Sequence, residues 1–241
     1  MFSLRLLDSE SPASCNYQKH HFKGKDKELL EFKNWNFKFV RNLILGISSL
    51  AGLLYFVYAS PNSFAKEGVA KMKKVVMIIA QDAFRDEELL QPKKLLEQNG
   101  IEVKIASTTL NNVKGMLGAK VNPDILIGDV NVRDFDAIVF IGGRGASQYW
   151  NNAVAHKLAQ DAISANRILA ATCIACVTLA KAGVLKSKRA TCWPSEAHQL
   201  EEAGVNYTGR QVEKDGNIIT ASGPSASGEF GDELLKALLI R

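Results

Sequence analysis

From about residue 72 onward, short apolar runs alternate with longer segments whose apolar residues recur at helical spacing. The runs at 74–80, 136–141 and 168–171 are nearly continuous in apolar residues, the pattern of strands buried on both faces of a parallel sheet. Residues 101–106 and 218–221 read as further strands, 189–192 as another, and 205–212 as extended chain. A turn at 82–88, capped by Asp86 or an earlier residue, leads into a helix through Leu89, Leu90, Leu95 and Leu96 that stops at Asn99-Gly100. Further helices are predicted over 152–165, 174–182, 195–203 and 229–240. Residues 110–123 are turn-rich and carry a small hairpin, and 125–130 is a short strand or excursion. Strands and helices alternating at this spacing imply right-handed βαβ units, hence an α/β domain with a doubly wound, mostly parallel sheet sandwiched by helices.

The N-terminal part follows a different pattern. Residues 1–41 show no sustained period and read as a basic disordered leader. Residues 42–65 contain no charged side chain, and the apolar centre is close to the ~17 residues needed to cross a bilayer. Lys33, Lys38 and Arg41 precede it, and Tyr55 and Tyr58 fall where an interfacial belt would lie. An apolar helix over 42–60 is therefore expected ahead of the domain, as a transmembrane anchor or a signal helix. Small-x-small sites at Val57-Tyr-Ala59 and Ser63-Phe-Ala65 suit a cleaved signal, whereas the long leader suits an anchor. A buried core helix, or translation from Met72, is the third reading. The first two predict a membrane-anchored or exported protein, the third a cytoplasmic one. Lys66, Lys71, Lys73 and Lys74 on the far side leave the orientation open. Pro61, Asn62, Ser63 and Gly68 mark a linker over 61–71, and the folded domain is expected over 72–241.

Charge removes one class of partner. The chain of 241 residues has a net charge of +5, but residues 1–41 contribute +3, 42–71 contribute +1 and 72–241 only +1. The domain is nearly neutral, with no nucleic-acid footprint. Cys15, Cys173, Cys176 and Cys192 contain no paired CxxC sets of zinc spacing, so neither a metal site nor a disulfide scaffold is expected. Gly142-Gly143 does not complete GxGxxG, and no P-loop, HExxH or G-x-S-x-G occurs. No cofactor is called for.

In an open α/β sheet the reactive groups follow the carboxyl ends of strands. Those segments are 82–88, 142–147, Cys173, Cys192-Trp193 and 222–225. Cys173 stands where the strand at 168–171 runs directly into a helix, with Ala171 and Ala175 small enough for a tight elbow. Helix-start amides favour a thiolate there, so a lowered thiol pKa is expected; a buried structural cysteine is the alternative. Cys176, one turn on, is a resolving thiol or a packing residue. Glu88 is the acid best suited to face Cys173, though Asp86 and Glu87 fit the spacing equally well. Gly142-Gly143 offers backbone N–H groups, half of an oxyanion hole. Of the four histidines, His20 and His21 lie in the leader and His156 and His198 in helices, so a Cys-His dyad is not expected.

With these residues assembled, the chain from about Lys73 onward resembles the DJ-1/PfpI family, within the class I glutamine amidotransferase-like superfamily. The matching pieces are Glu88-Leu-Leu-Gln-Pro92, Phe135-Asp-Ala-Ile-Val-Phe-Ile-Gly-Gly143, Ala170-Ala-Thr-Cys173, Ala182-Gly-Val-Leu185, and Val212-Glu-Lys-Asp-Gly216 leading to Ser222-Gly-Pro224. The resemblance implies a flavodoxin-like fold, a homodimer, and a reactive cysteine held near a protonated glutamate, by position Cys173 and Glu88. It also implies glyoxalase- or deglycase-type chemistry on a small aldehyde, with oxidation sensing or chaperone-like protection through the same cysteine as the alternative. In that reading the N–H groups of Gly143 and Ile174 face the oxyanion, and Gly142, Trp193 and Pro224 border the pocket. Ile174 stands where peptidase-like members carry histidine, Trp193 where others carry one before the proline, and Ala175-Cys176 replaces the common Gly-Pro. These departures argue against peptidase activity.

Overall fold

Strand β1 (Lys74–Ile78) is buried at every position except its first, and on both sides. Val75 and Met77 join one layer of the core, Val76 and Ile78 the other, as the two-residue period of a strand requires. The computed structural model describes residues 72–240; the expected leader 1–41, apolar helix 42–60 and linker 61–71 lie outside them. No helix among the described residues is long and apolar enough to cross a membrane.

After β1 come β2 (Asp82–Phe84), helix α1 (Asp86–Gln98), β3 (Glu102–Ser107), a hairpin of β4 (Val113–Gly115) and β5 (Lys120–Val121), and β6 (Ile125–Leu126). The middle of the domain is β7 (Ala137–Phe140), α2 (Ala153–Ser164), β8 (Ile168–Thr172) and α3 (Cys176–Lys181). It closes with β9 (Arg189–Ala190), α4 (Ala197–Glu202), β10 (Asn206–Tyr207), β11 (Val212–Asp215), β12 (Ile218–Ala221) and α5 (Ser227–Leu239). The seven-stranded sheet runs β11-β12-β8-β7-β1-β3-β6. Every neighbouring pair is parallel except β11-β12. The chain first winds outward from β1 to β3 and β6, then crosses to β7, β8 and β12. The order thus reverses between β1 and β7, which places the ligand crevice of such a sheet outside their carboxyl ends.

Alternate residues of the central strands feed two cores. Ala137 and Val139 of β7, with Ala170 of β8, meet Leu89 and Leu96 of α1 and Phe230, Leu234 and Leu238 of α5. Ile138, Phe140, Leu169 and Ala171 meet Leu158 of α2, Val177 and Leu179 of α3, and Leu200 of α4. At roughly 1.5–3 kcal/mol for each large aliphatic side chain buried, this two-sided packing is what holds the strand ends, and so the site, in place.

The doubly wound, mostly parallel sheet agrees with the sequence pattern; several boundaries do not. Residues 82–84, expected as a turn, form β2, which pairs with β4 in a separate sheet β2-β4-β5. That pairing is irregular, with a register shift and Ala83 at φ 53°, so it leaves no period in the sequence. The strand expected over 189–192 shrinks to β9, paired with β10 apart from the main sheet; the Thr191 N–H donates instead to the Thr220 hydroxyl at 2.9 Å. The helix expected over 174–182 begins as a 3-10 turn, Cys173–Ala175, before α3.

Candidate active site

Three segments distant in sequence meet at the switch point: the first turn of α1, the Gly142-Gly143 pair after β7, and the junction of β8 with the turn before α3. At that junction Cys173 holds φ 55°, a left-handed conformation that costs an L residue about 1–2 kcal/mol. Buried Ala171 and Ala175 flank it, as the elbow requires. Gly142 lies directly opposite. A Cβ there would stand 2.5 Å from Cys173 Cβ, 2.6 Å from Glu88 Oε2 and 2.8 Å from Thr172 O, so only a hydrogen fits between the two reactive side chains. Gly143, at φ 102°, leaves room for the Arg85 N–H to donate to Gly142 O at 2.9 Å, tying β7 to the start of α1.

Glu88 is fully buried. Its Oε2 accepts from the Gly142 N–H at 3.0 Å and from the Thr172 hydroxyl at 2.5 Å, whereas Oε1 has no hydrogen-bond partner. Burial pushes the carboxyl up to about 7, against the opposing pull of the Thr172 and Gly142 bonds, the Cys173 thiol and the Arg85 charge. The acid therefore exchanges its proton near neutral pH.

Cys173 is 7% exposed. Burial first, and then the Glu88 charge, push its thiol up to about 12, while the amides of Gly143 and Ile174 pull the other way. This corrects the expectation of a lowered thiol pKa. The helix behind the cysteine is one 3-10 turn and six α-helical residues, and desolvating a sulfur anion outweighs the partial charge of its amides. The two amides, expected to face a substrate oxyanion, act on the sulfur itself. Glu88 and Cys173 form a coupled pair in which like charge disfavours ionising both. A thiolate is reached most readily when its proton passes to Glu88.

Above the thiol lies a cavity of about 310 Å³, lined by Arg85, Met116, Gly143, Arg144, Cys173, Ile174, Trp193, Ser195 and Pro224. Trp193 and Pro224 are among its lining residues and Gly142 is not. No histidine is among the lining residues: a ring nitrogen of His156 sits 2.8 Å from Trp150 O, and His198 is exposed near Ser195 O. The cavity and its floor also hold residues to which the sequence reading gave no role: Arg85 and Arg144, inside the segments 82–88 and 142–147, and Met116, Ser195 and Thr172 outside them. Only Thr172 carried a signal, because a hydroxyl ending an otherwise apolar buried strand must find a partner.

The three acids that spacing left equivalent are separated by geometry. Asp86 accepts from the Leu117 N–H at 2.9 Å and the Ala119 N–H at 2.8 Å, fixing the β4-β5 connection. Glu87 takes two bonds from the Arg85 guanidinium, at 2.8 and 3.1 Å. Glu88 alone turns inward to the thiol. Cys176 is fully buried, its thiol 3.9 Å from Ala221 O, and Cys192 donates to Trp193 O at 3.2 Å. Burial pushes both of these thiols up, and both pack as small apolar residues.

An open, mostly parallel sheet with a cysteine on a strained elbow, facing a buried acid across a glycine, defines a class of α/β proteins. Within that class the sequence profile of the DJ-1/PfpI family matches residues 73–237, and the chain belongs to this family. It is 44% identical over 180 residues to an uncharacterised protein of Methanocaldococcus jannaschii, covering 73% of this chain and 88% of that one. It is 32% identical over 163 residues to a deglycase of Pyrococcus abyssi, covering 68% of this chain and 98% of that protein. The solved ThiJ/PfpI domain protein of Brachyspira murdochii is similar at a TM-score of 0.69 and 29% identity, over 71% of this chain and 99% of that one.

Proposed function

We propose that the protein is a cysteine-dependent enzyme acting on small reactive carbonyls, in the manner of a glyoxalase or deglycase. The observation that carries this reading is the pairing of Cys173 with a fully buried acid, whose carboxyl burial pushes up to about 7, at the floor of a cavity sized for a small molecule. Similarity to a protein named a deglycase supports the same chemistry. As an aldehyde enters, the Cys173 proton passes to the Glu88 carboxylate and the sulfur bonds to the carbonyl carbon. The carbonyl π pair moves to oxygen, which takes the proton back from Glu88, leaving a neutral hemithioacetal. Glu88 then serves as the acid and base for rearranging the adduct, and one water releases the product acid. No lining histidine is needed for these steps.

The test is methylglyoxal consumption by the purified protein. Cys173→Ser is expected to abolish it; equal loss of methylglyoxal by wild type and this variant sinks the reading. In that event the alternative is protection or sensing by oxidation of Cys173, read as selective sulfinate formation at Cys173 over Cys176 and Cys192 under mild peroxide. A homodimer belongs to the same proposal: light scattering should give twice the chain mass, and a monomer mass removes it.

A further inference from the structure

Thr172 ends β8 with its side chain buried, and its hydroxyl has two neighbours. One is the Gly142 N–H at 3.0 Å, the other Glu88 Oε2 at 2.5 Å. An amide N–H only donates, and a hydroxyl has a single proton to give. The Thr172 hydroxyl gives that proton to Oε2. Gly142 donates to the same oxygen, so Oε2 receives two donors and has no place for a proton of its own. The buried Oε1, with no hydrogen-bond partner, is what remains.

We propose that Thr172 is a positioning residue that makes Glu88 Oε2 a pure acceptor, so that the exchangeable proton of the acid resides on Oε1 and the Thr172 hydroxyl sets how readily the acid beside Cys173 gives that proton up. Without the hydroxyl, Oε2 keeps only the Gly142 amide. The carboxylate is then less stabilised, and the proton can settle on either oxygen. Asp86 and Glu87 take no part, since their carboxylates are held by the Leu117 and Ala119 amides and by Arg85. Arg85, whose charge also acts on Glu88, is untouched by changes at 172. The inference rests on the reading of Glu88 as proton carrier for Cys173, but not on the identity of the substrate.

The test follows Cys173 alkylation by iodoacetamide across pH 5–9 in the full chain, with mass spectrometry separating Cys173 from Cys176 and Cys192, alongside methylglyoxal loss. Wild type should show a rate that rises through an inflection near 7, absent in Glu88→Gln. Thr172→Val should move that inflection up by about one pH unit, the order expected for losing one hydrogen bond to a carboxylate. Alkylation at pH 7 should then fall roughly fivefold, as the ionised fraction of the acid drops from about one half to about one tenth. Thr172→Ser, which keeps the hydroxyl, should restore the wild-type profile. Thr172→Ala serves if the valine variant does not fold. A folded valine or alanine variant with the wild-type inflection overturns the proposal, as does a serine variant that fails to restore it or a wild-type profile independent of Glu88. If methylglyoxal loss is absent throughout while the alkylation shift appears, the carbonyl reading falls and the role of Thr172 stands.

Discussion

Asp86 and Glu88 are separated by one residue on the first turn of α1, and both are buried. Asp86 spreads its donors, one backbone amide on each oxygen, both from the connection that follows β4. Glu88 gathers both of its donors on one oxygen and leaves the other bare. The first arrangement ties two pieces of chain together; the second leaves one buried oxygen without a partner on an acid that adjoins a thiol. Burial alone does not distinguish a structural acid from a reactive one. The oxygen-by-oxygen account of partners does.

The sharpest attack on this contrast is to neutralise each acid in turn. Glu88→Gln is expected to lower methylglyoxal turnover by about 10²- to 10⁴-fold, the span of a general acid–base group, whereas Asp86→Asn should leave kcat within a few-fold. Comparable losses in both would erase the distinction.

Stability against pH gives the next largest effect. Because the folded-state value of Glu88, about 7, lies above the ordinary 4.5, folding favours the protonated acid. The associated stability is complete below pH 4.5 and is lost as pH rises through 7, amounting to about 3 kcal/mol at most. Denaturant unfolding at pH 4.5 and 8 should show that component in wild type and not in Glu88→Gln; identical slopes would count against a buried protonated acid. Asp86→Ala should cost about 1–3 kcal/mol at neutral pH by orphaning two amides, seen as a lower Tm. It should also raise KM, since Met116 in the loosened connection lines the cavity. Smallest is Trp193→Ala, which removes a half-exposed cavity wall and should raise KM a few-fold without moving the alkylation inflection.

Much of this was written in the chain. The nearly continuous apolar runs of β1, β7 and β8 could only be two-sided strands, and Cys173 between such a strand and a helix marked the elbow. Spacing left Asp86, Glu87 and Glu88 equivalent and only the family resemblance pointed to Glu88, because adjacent first-turn acids differ in partners that come from residues 85, 117, 119, 142 and 172. The charge state of the thiol was misjudged for a related reason. Local sequence shows the helix start that favours a thiolate but not the burial that opposes it, nor the nearby acid. The irregular β2 and the two-residue β9 and β10 escaped because their pairing leaves no periodic trace.

The assembly of the floor from residues 88, 142, 172 and 173 also has a consequence in time. A chain still being synthesised, before β8 has docked between β7 and β12, carries Cys173 as an ordinary solvent-exposed thiol with no acid beside it. Docking of the strand moves that thiol to the floor of the cavity and sets Glu88 beside it. Completion of the fold is thus also the moment at which an indiscriminate nucleophile becomes a selective one, and the change of its alkylation during refolding, from the pH profile of a free thiol to one governed by Glu88, would time the closing of the sheet.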